Sequence, residues 1–389
     1  MKRMLITALL LVLLFAFSPV GASEEAERDE LPEELAEEIE RQTRGIDLST
    51  WDEYFSGIGD IAFGARSMRE LLIRCAEGDA GDEPEGLFGV LKELVLSEFR
   101  RSSGAIAALT AAALITALSG VIADDGIKPV LSLILCGTAV TLTVGAFTSL
   151  CRTAADAVSA SGKLTQSTMP IMSALLAAMG STASEGAFRP LMAFLSGTVV
   201  LLIEKLVLPI ILAGGILGTV DALADGRLEG LVKLAHRTSK WMLGLISSVY
   251  FCFTAVRGFT MAIRDGVTLR TAKFAISRLV PVVGSMVSGT VDSVMGCALL
   301  IKNGAGVVSI IILLSLTVRP LTVLLAGTFI FRISAALAGP LADPAVTKLF
   351  SNTADMASDL FACAAAAGSM FLLTALMFIA AGGVSAGLW

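Results

Sequence analysis

From Ser102 onward the chain carries too little charge to keep a folded surface in water, and this constrains its fold more than any motif does. Residues 102–389 hold 13 acids and 18 bases. Over the whole chain 55% of residues are hydrophobic and 16% are charged, with a mean hydropathy of +0.79. Soluble domains carry about 25% charged residues. Lipid must therefore solvate much of the exterior. A length of 389 residues would suggest two or three domains in a soluble protein. Here it predicts an all-α, polytopic membrane domain over 102–389.

The N-terminal part has the opposite character. Lys2-Arg3 precede an apolar run from Leu5 to Phe17, then Ser18-Pro19 and the small residues Val20-Gly21-Ala22. That is the order of a secretory signal. Residues 1–22 are read as a signal peptide cut after Ala22, with an uncleaved anchor as the other possibility. Residues 23–101 hold 22 acids and 9 bases and read as a small acidic helical domain on the outer side of the membrane. Pro32 in the first turn of a charged helix and the Ser49-Thr50-Trp51-Asp52-Glu53 cap mark helix starts there. Gly57-Ile58-Gly59-Asp60 has the G-x-G-D form of intramembrane aspartyl proteases. That chemistry needs two carboxylates sharing a proton in an apolar setting, and Asp60 lies in a polar segment.

A crossing helix needs about 20 mainly apolar residues. Ser103–Ala123, Pro129–Leu150, Leu191–Val220, Trp241–Val256, Leu321–Leu337 and Phe361–Leu388 meet or approach that length. Pro281–Ile301 and Gly306–Val318 read as two apolar arms around Lys302-Asn303-Gly304-Ala305, forming either a re-entrant hairpin or a tight turn between crossing helices. Six or seven crossings are expected. Arg152–Thr168, Asp221–Lys240 and Arg257–Arg278 read as polar connections; the third, basic and amphipathic, suits the headgroup layer or a docking partner. The positive-inside rule places Asp221–Lys240 on the inner side. Simple alternation then sets the equally basic Arg257–Arg278 outside, a conflict the sequence leaves open.

Arg189-Pro190-Leu191 through Gly197-Thr198 matches Arg319-Pro320-Leu321 through Gly327-Thr328 as R-P-L-x-x-x-L-[SA]-G-T. This suggests repeat units over 129–220 and 241–338, or a chance likeness of apolar segments. Interrupted apolar segments in paired halves mark binding sites in transporters. Ser285, Gly289, Asp292 and Gly296 recur at helical spacing on a lightly built face that lets helices approach closely in lipid. Asp292 either bonds within the fold or serves transport or assembly. Lys302, Asn303, Arg319 and Glu204 complete the candidate packing or conduit residues; the other reading of Glu204, Lys205 and Arg319 is that they extend toward an interface.

No enzyme chemistry is visible. The chain has neither a P-loop nor a G-x-S-x-G motif, and its six cysteines form no C-x-x-C pair. With one histidine there is no sign of a metal or cofactor site, and no basic aromatic patch suggests nucleic acid. His236, in Leu234-Ala235-His236-Arg237-Thr238, reads as a surface residue of an amphipathic loop without a carboxylate partner.

Phe274-Ala275-Ile276-Ser277-Arg278-Leu279-Val280-Pro281-Val282-Val283-Gly284-Ser285, then Val291-Asp292-Ser293-Val294, Leu300 to Gly306 and Arg319-Pro320, resemble the stage III sporulation protein AE family. With the signal, the acidic outer region and the polytopic body, the resemblance spans nearly the whole chain and is sharpest from Phe274 to Pro320. It implies a membrane subunit of a secretion-like sporulation channel, needed for late forespore development, that links mother cell and forespore. The implied partners are an ATPase, ring-forming subunits and a forespore membrane protein, besides membrane lipid. The implied location is the mother-cell-derived membrane, with the acidic domain in the intermembrane space. No catalytic residue is carried over. An autonomous transporter of a small solute or ion is the alternative.

Overall fold

The computed structural model describes residues 128–178, 193–224, 226–279, 284–339 and 344–380, and every regular element among them is helical. The signal segment, the acidic domain, the crossing expected at Ser103–Ala123 and the first R-P-L motif lie outside the described residues. Five helices follow in order: α1 Lys128–Ala178, α2 Ala193–Leu223, α3 Glu229–Leu279, α4 Gly284–Ala338 and α5 Pro344–Ala380. By length and composition α2, residues Val308–Ala338 of α4 and residues Pro344–Met377 of α5 can each cross a membrane. The segments Pro129–Leu150 and Trp241–Val256 lie inside α1 and α3.

The helices run through positions where the composition suggested breaks. α4 is continuous over Lys302-Asn303-Gly304-Ala305 and over Arg319-Pro320, so neither a re-entrant hairpin nor a tight turn exists there. One glycine costs a helix only about 1 kcal/mol, and four residues without a proline do not outweigh apolar helix on both sides. Arg152–Thr168 and Arg257–Arg278 are likewise helical continuations of α1 and α3, not loops. α1 and α3 have 51 residues and α4 has 55. At about 1.5 Å per residue these helices span roughly 76–82 Å, more than twice a hydrocarbon layer of about 30 Å. None fits within that layer alone.

Proline is accommodated locally. Pro209 has no N–H and crowds the carbonyl four residues back. Just before it, Ile203–Val207 widens to a π turn, and the N–H of Leu208 reaches the carbonyl of Ile203. Between α2 and α3 the chain reverses through Gly226 at φ 84°, the left-handed conformation that glycine adopts without strain. The Gly226 N–H closes on the carbonyl of Asp221 at 3.0 Å.

Paired contacts give an up-down bundle. Phe147 and Leu150 of α1 lie against Gly215 of α2 and Gly327 of α4, while farther along α1 Gly162 meets Val200. α1 therefore runs antiparallel to α2. α3 and α5 run parallel, since His236 meets Asp359 and Tyr250 meets Thr374. α5 is central: 67% of its most apolar stretch is buried, against 33% and 35% for α2 and α4. Its run Cys363-Ala364-Ala365-Ala366-Ala367-Gly368 is buried throughout, and small side chains allow close helix approach in lipid. A Cβ at Gly368 would strike Thr317.

The polarity is inverted relative to a soluble bundle. Large apolar side chains lie exposed at four-residue intervals: Leu212, Ile216 and Val220; Trp241, Leu245 and Val249; Leu325, Phe329, Ile333 and Leu337. That spacing is one outward face on each of α2, α3 and α4. Two carboxylates, Asp221 and Asp359, are buried at 0% and 2% exposure. Apolar residues outside and charge inside are the arrangement for a lipid solvent.

Candidate functional site: a buried charged seam

Lys348, Asn352, Asp355 and Asp359 of α5 recur at intervals of four, three and four residues, so they lie along one side of the helix. Each reaches a neighbouring helix. Lys348 Nζ stands 3.0 Å from Oδ2 of Asp221 in α2. Asn352 Nδ2 donates to the carbonyl of Gly218 at 3.2 Å. Arg332 of α4 approaches Asp355 at 3.3 Å on the exposed edge. Asp359 meets α3.

Asp221 also caps the reversal after α2, because the N–H of Leu228 donates to its Oδ1 at 2.8 Å. One carboxylate thus holds a turn and a distant helix together. Burying an ion costs several kcal/mol unless it is paired and hydrogen-bonded, and Asp221 is both.

The deeper group is denser. His236 Nδ1 lies 2.6 Å from Asp359 Oδ2. The Ser239 hydroxyl donates to the same oxygen at 3.0 Å, and Lys240 Nζ stands 3.6 Å from Oδ1. Lys240 also closes on His236 Nε2. An ammonium only donates, so Nε2 accepts and Nδ1–H donates to Asp359. These contacts assign one tautomer of a neutral imidazole. Lys240 and Asp359 then balance, as do Lys348 and Asp221.

Depth follows from packing. A Cβ on Gly214 of α2 would meet both Ala235 of α3 and Met356 of α5, so Asp359 lies level with the middle of the apolar α2. Farther along α5, Thr374 bonds Tyr250 and borders a small cavity with Thr165, Thr168, Ser309, Leu313 and Phe371. It has room for about one water and admits no solute.

His236 is thus a helical residue bound to a carboxylate, not a loop residue without one. Its partner is 123 positions away, on a stretch whose first half is too polar to read as a crossing. The missed signal was the set of polar side chains at helical intervals from Lys348 to Asp359. The residues singled out from sequence fall elsewhere. Glu204 is half-buried in the π turn of α2, and Arg319 is exposed on α4. Ser285, Gly289, Asp292, Gly296, Lys302 and Asn303 lie on the helical backbone of α4, and their side chains are outside the described residues.

A family model described as stage III sporulation protein AE matches residues 66–382. Stage III sporulation protein AE of Bacillus subtilis (strain 168) is 27% identical over 398 aligned positions, which cover 99% of each chain. No solved structure matches.

Proposed function

Because the chain belongs to the stage III sporulation protein AE family, we propose that it is an integral membrane subunit of a secretion-like channel complex linking mother cell and forespore. In this reading it is a structural or conduit component that supports late forespore development. It sits in the mother-cell-derived membrane, with a cleaved signal and an acidic domain in the intermembrane space. Its partners are an ATPase, ring-forming subunits and a forespore membrane protein. The observation that carries this is the family match across nearly the whole membrane body, residues 66–382.

The seam favours a fixed body over a moving carrier. Its charges are matched between α5 and each of α2 and α3, and separating α5 from either helix would strand an ion in apolar surroundings. The face of α4 carrying Ser285, Gly289, Asp292 and Gly296 is then a place for helix packing or for the conduit. Purification of the tagged full chain from sporulating cells tests the assignment. The ATPase or ring subunits should co-purify, and loss of the chain should stop forespore development after engulfment. A chain that purifies alone, and whose loss leaves spore yield unchanged, refutes it.

The His236–Asp359 pair favours a second reading, an autonomous transporter, since such pairs carry protons in membrane carriers. That reading requires solute movement in liposomes holding only this chain, lost in Asp359→Asn without loss of folding.

A further inference from the structure

The seam keeps its charges inside, but α1 carries charges on its outside. Ser149, Arg152, Asp156, Lys163 and Gln166 are all exposed. Arg152, Asp156 and Lys163 make no ion pair among the described residues. This stretch does not lie beyond the apolar body. Gly162 packs on Val200, Gln166 stands beside Gly197, and Phe147 meets Gly215. Ser149 to Gln166 therefore runs beside roughly residues 197–214 of α2, where Leu201, Leu206 and Leu212 are exposed. At that depth α2 presents leucines and one exposed cation, Lys205, whereas α1 presents three ionisable groups of both signs.

Ionisable side chains facing acyl chains are costly at mid-membrane and pair or face a polar neighbour, so this face meets something other than lipid. We propose that the outward face of α1, from Ser149 to Gln166, docks a second copy of this chain, with Arg152 of each copy against Asp156 of the other. Copies inserted the same way bring their α1 helices together in parallel. Arg152 and Asp156 are one turn apart, about 6 Å along the axis, a step that an arginine side chain spans. The face thus carries both signs needed to complement itself across a twofold axis.

Its shape fits the same role. Ser149, Thr153, Asp156, Ala160, Lys163 and Ser167 follow alternating steps of four and three residues, the period of two helices packed along their length. Thr153 donates to the carbonyl of Ser149 and Ser167 to that of Leu164, so these hydroxyls enter a contact already satisfied. The inference rests on the membrane body alone. The dimer forms even where no ATPase or ring subunit co-purifies.

The test uses the full chain in membranes, with the six native cysteines replaced and single cysteines introduced. Ala160→Cys should give a cross-linked dimer with a short bis-maleimide, whereas Leu206→Cys and Leu245→Cys should not. Arg152→Asp or Asp156→Arg alone should lower the cross-linked fraction about fivefold, a typical coupling for contacting charges. The double reversal should restore it. If the reversals unfold the chain, the Ala160→Cys pattern still decides. Labelling of Ala160→Cys by a charged maleimide without dimer places the face against water and overturns the proposal. So does cross-linking to a different protein, or the absence of both products.

Discussion

The seam and the α1 face use the same side-chain chemistry in opposite places. Along the seam, lysine, histidine and aspartate lie within a few ångströms of one another, with Asp359 at 2% exposure and Lys240, His236 and Ser239 around it. On α1, arginine, aspartate and lysine point outward without a partner among the described residues. Within the bundle a charge holds helices together because leaving its partner alone is so costly. On the outside the same cost favours whatever molecule can satisfy it. One set of charges fixes the fold, and the other selects a neighbour.

The comparison is broken most severely by stranding a seam charge. Asp359→Ala leaves Lys240 without its carboxylate and should cost about 3–5 kcal/mol, measured as denaturation of the purified chain in detergent. Replacing the group together, as Asp359→Leu with His236→Leu and Lys240→Met, should recover most of that, because apolar substitution of a whole buried ion group is often neutral or better. If Asp359→Ala costs under about 1 kcal/mol, the seam is not what joins α3 to α5. Next in size is Gly215→Val, which drives a side chain into the Phe147 ring. About 1–3 kcal/mol of overpacking is expected. Arg152→Ala should be far milder, within about 0.5 kcal/mol of the parent as for other exposed positions, while still reducing the cross-linked dimer. Equal stability losses at Arg152 and Asp359 would erase the distinction between the two regions.

Periodicity and composition made the helices and the membrane body legible, because lipid-facing residues have to be apolar over long runs. Breaks were misjudged for a related reason. Lys302-Asn303-Gly304-Ala305 interrupts hydropathy, but hydropathy measures solvent preference, and a helix continues through polar residues wherever its backbone bonds are kept. The seam was least legible. Asp221 and Lys348 are 127 residues apart and belong to stretches that look like ordinary polar connections. Only the packing of α5 among α2, α3 and α4 brings such residues together. Asp292 stood out because it is polar in an apolar run, whereas Asp359 sits among other polar residues that hide it.

The weakest charge contact shows where pairing stops mattering. Glu229, in the first turn of α3, pairs with Lys233 one turn later, both of them exposed beyond the apolar spans. The hydrogen bond from Lys233 and its positive charge hold the Glu229 carboxyl below its ordinary range. A carboxylate with a depressed folded-state pKa adds stability above its unfolded value and loses it as pH falls through the folded one. Glu229→Gln should therefore melt slightly below the parent at pH 7, by less than any variant above, and the two curves should merge in acid once Glu229 is protonated. Added salt should shrink the gap at pH 7, because exposed pairs are screened. The Asp359→Ala deficit should resist the same salt. If both deficits fell together as salt rose, burial would not be what separates the seam from a surface pair.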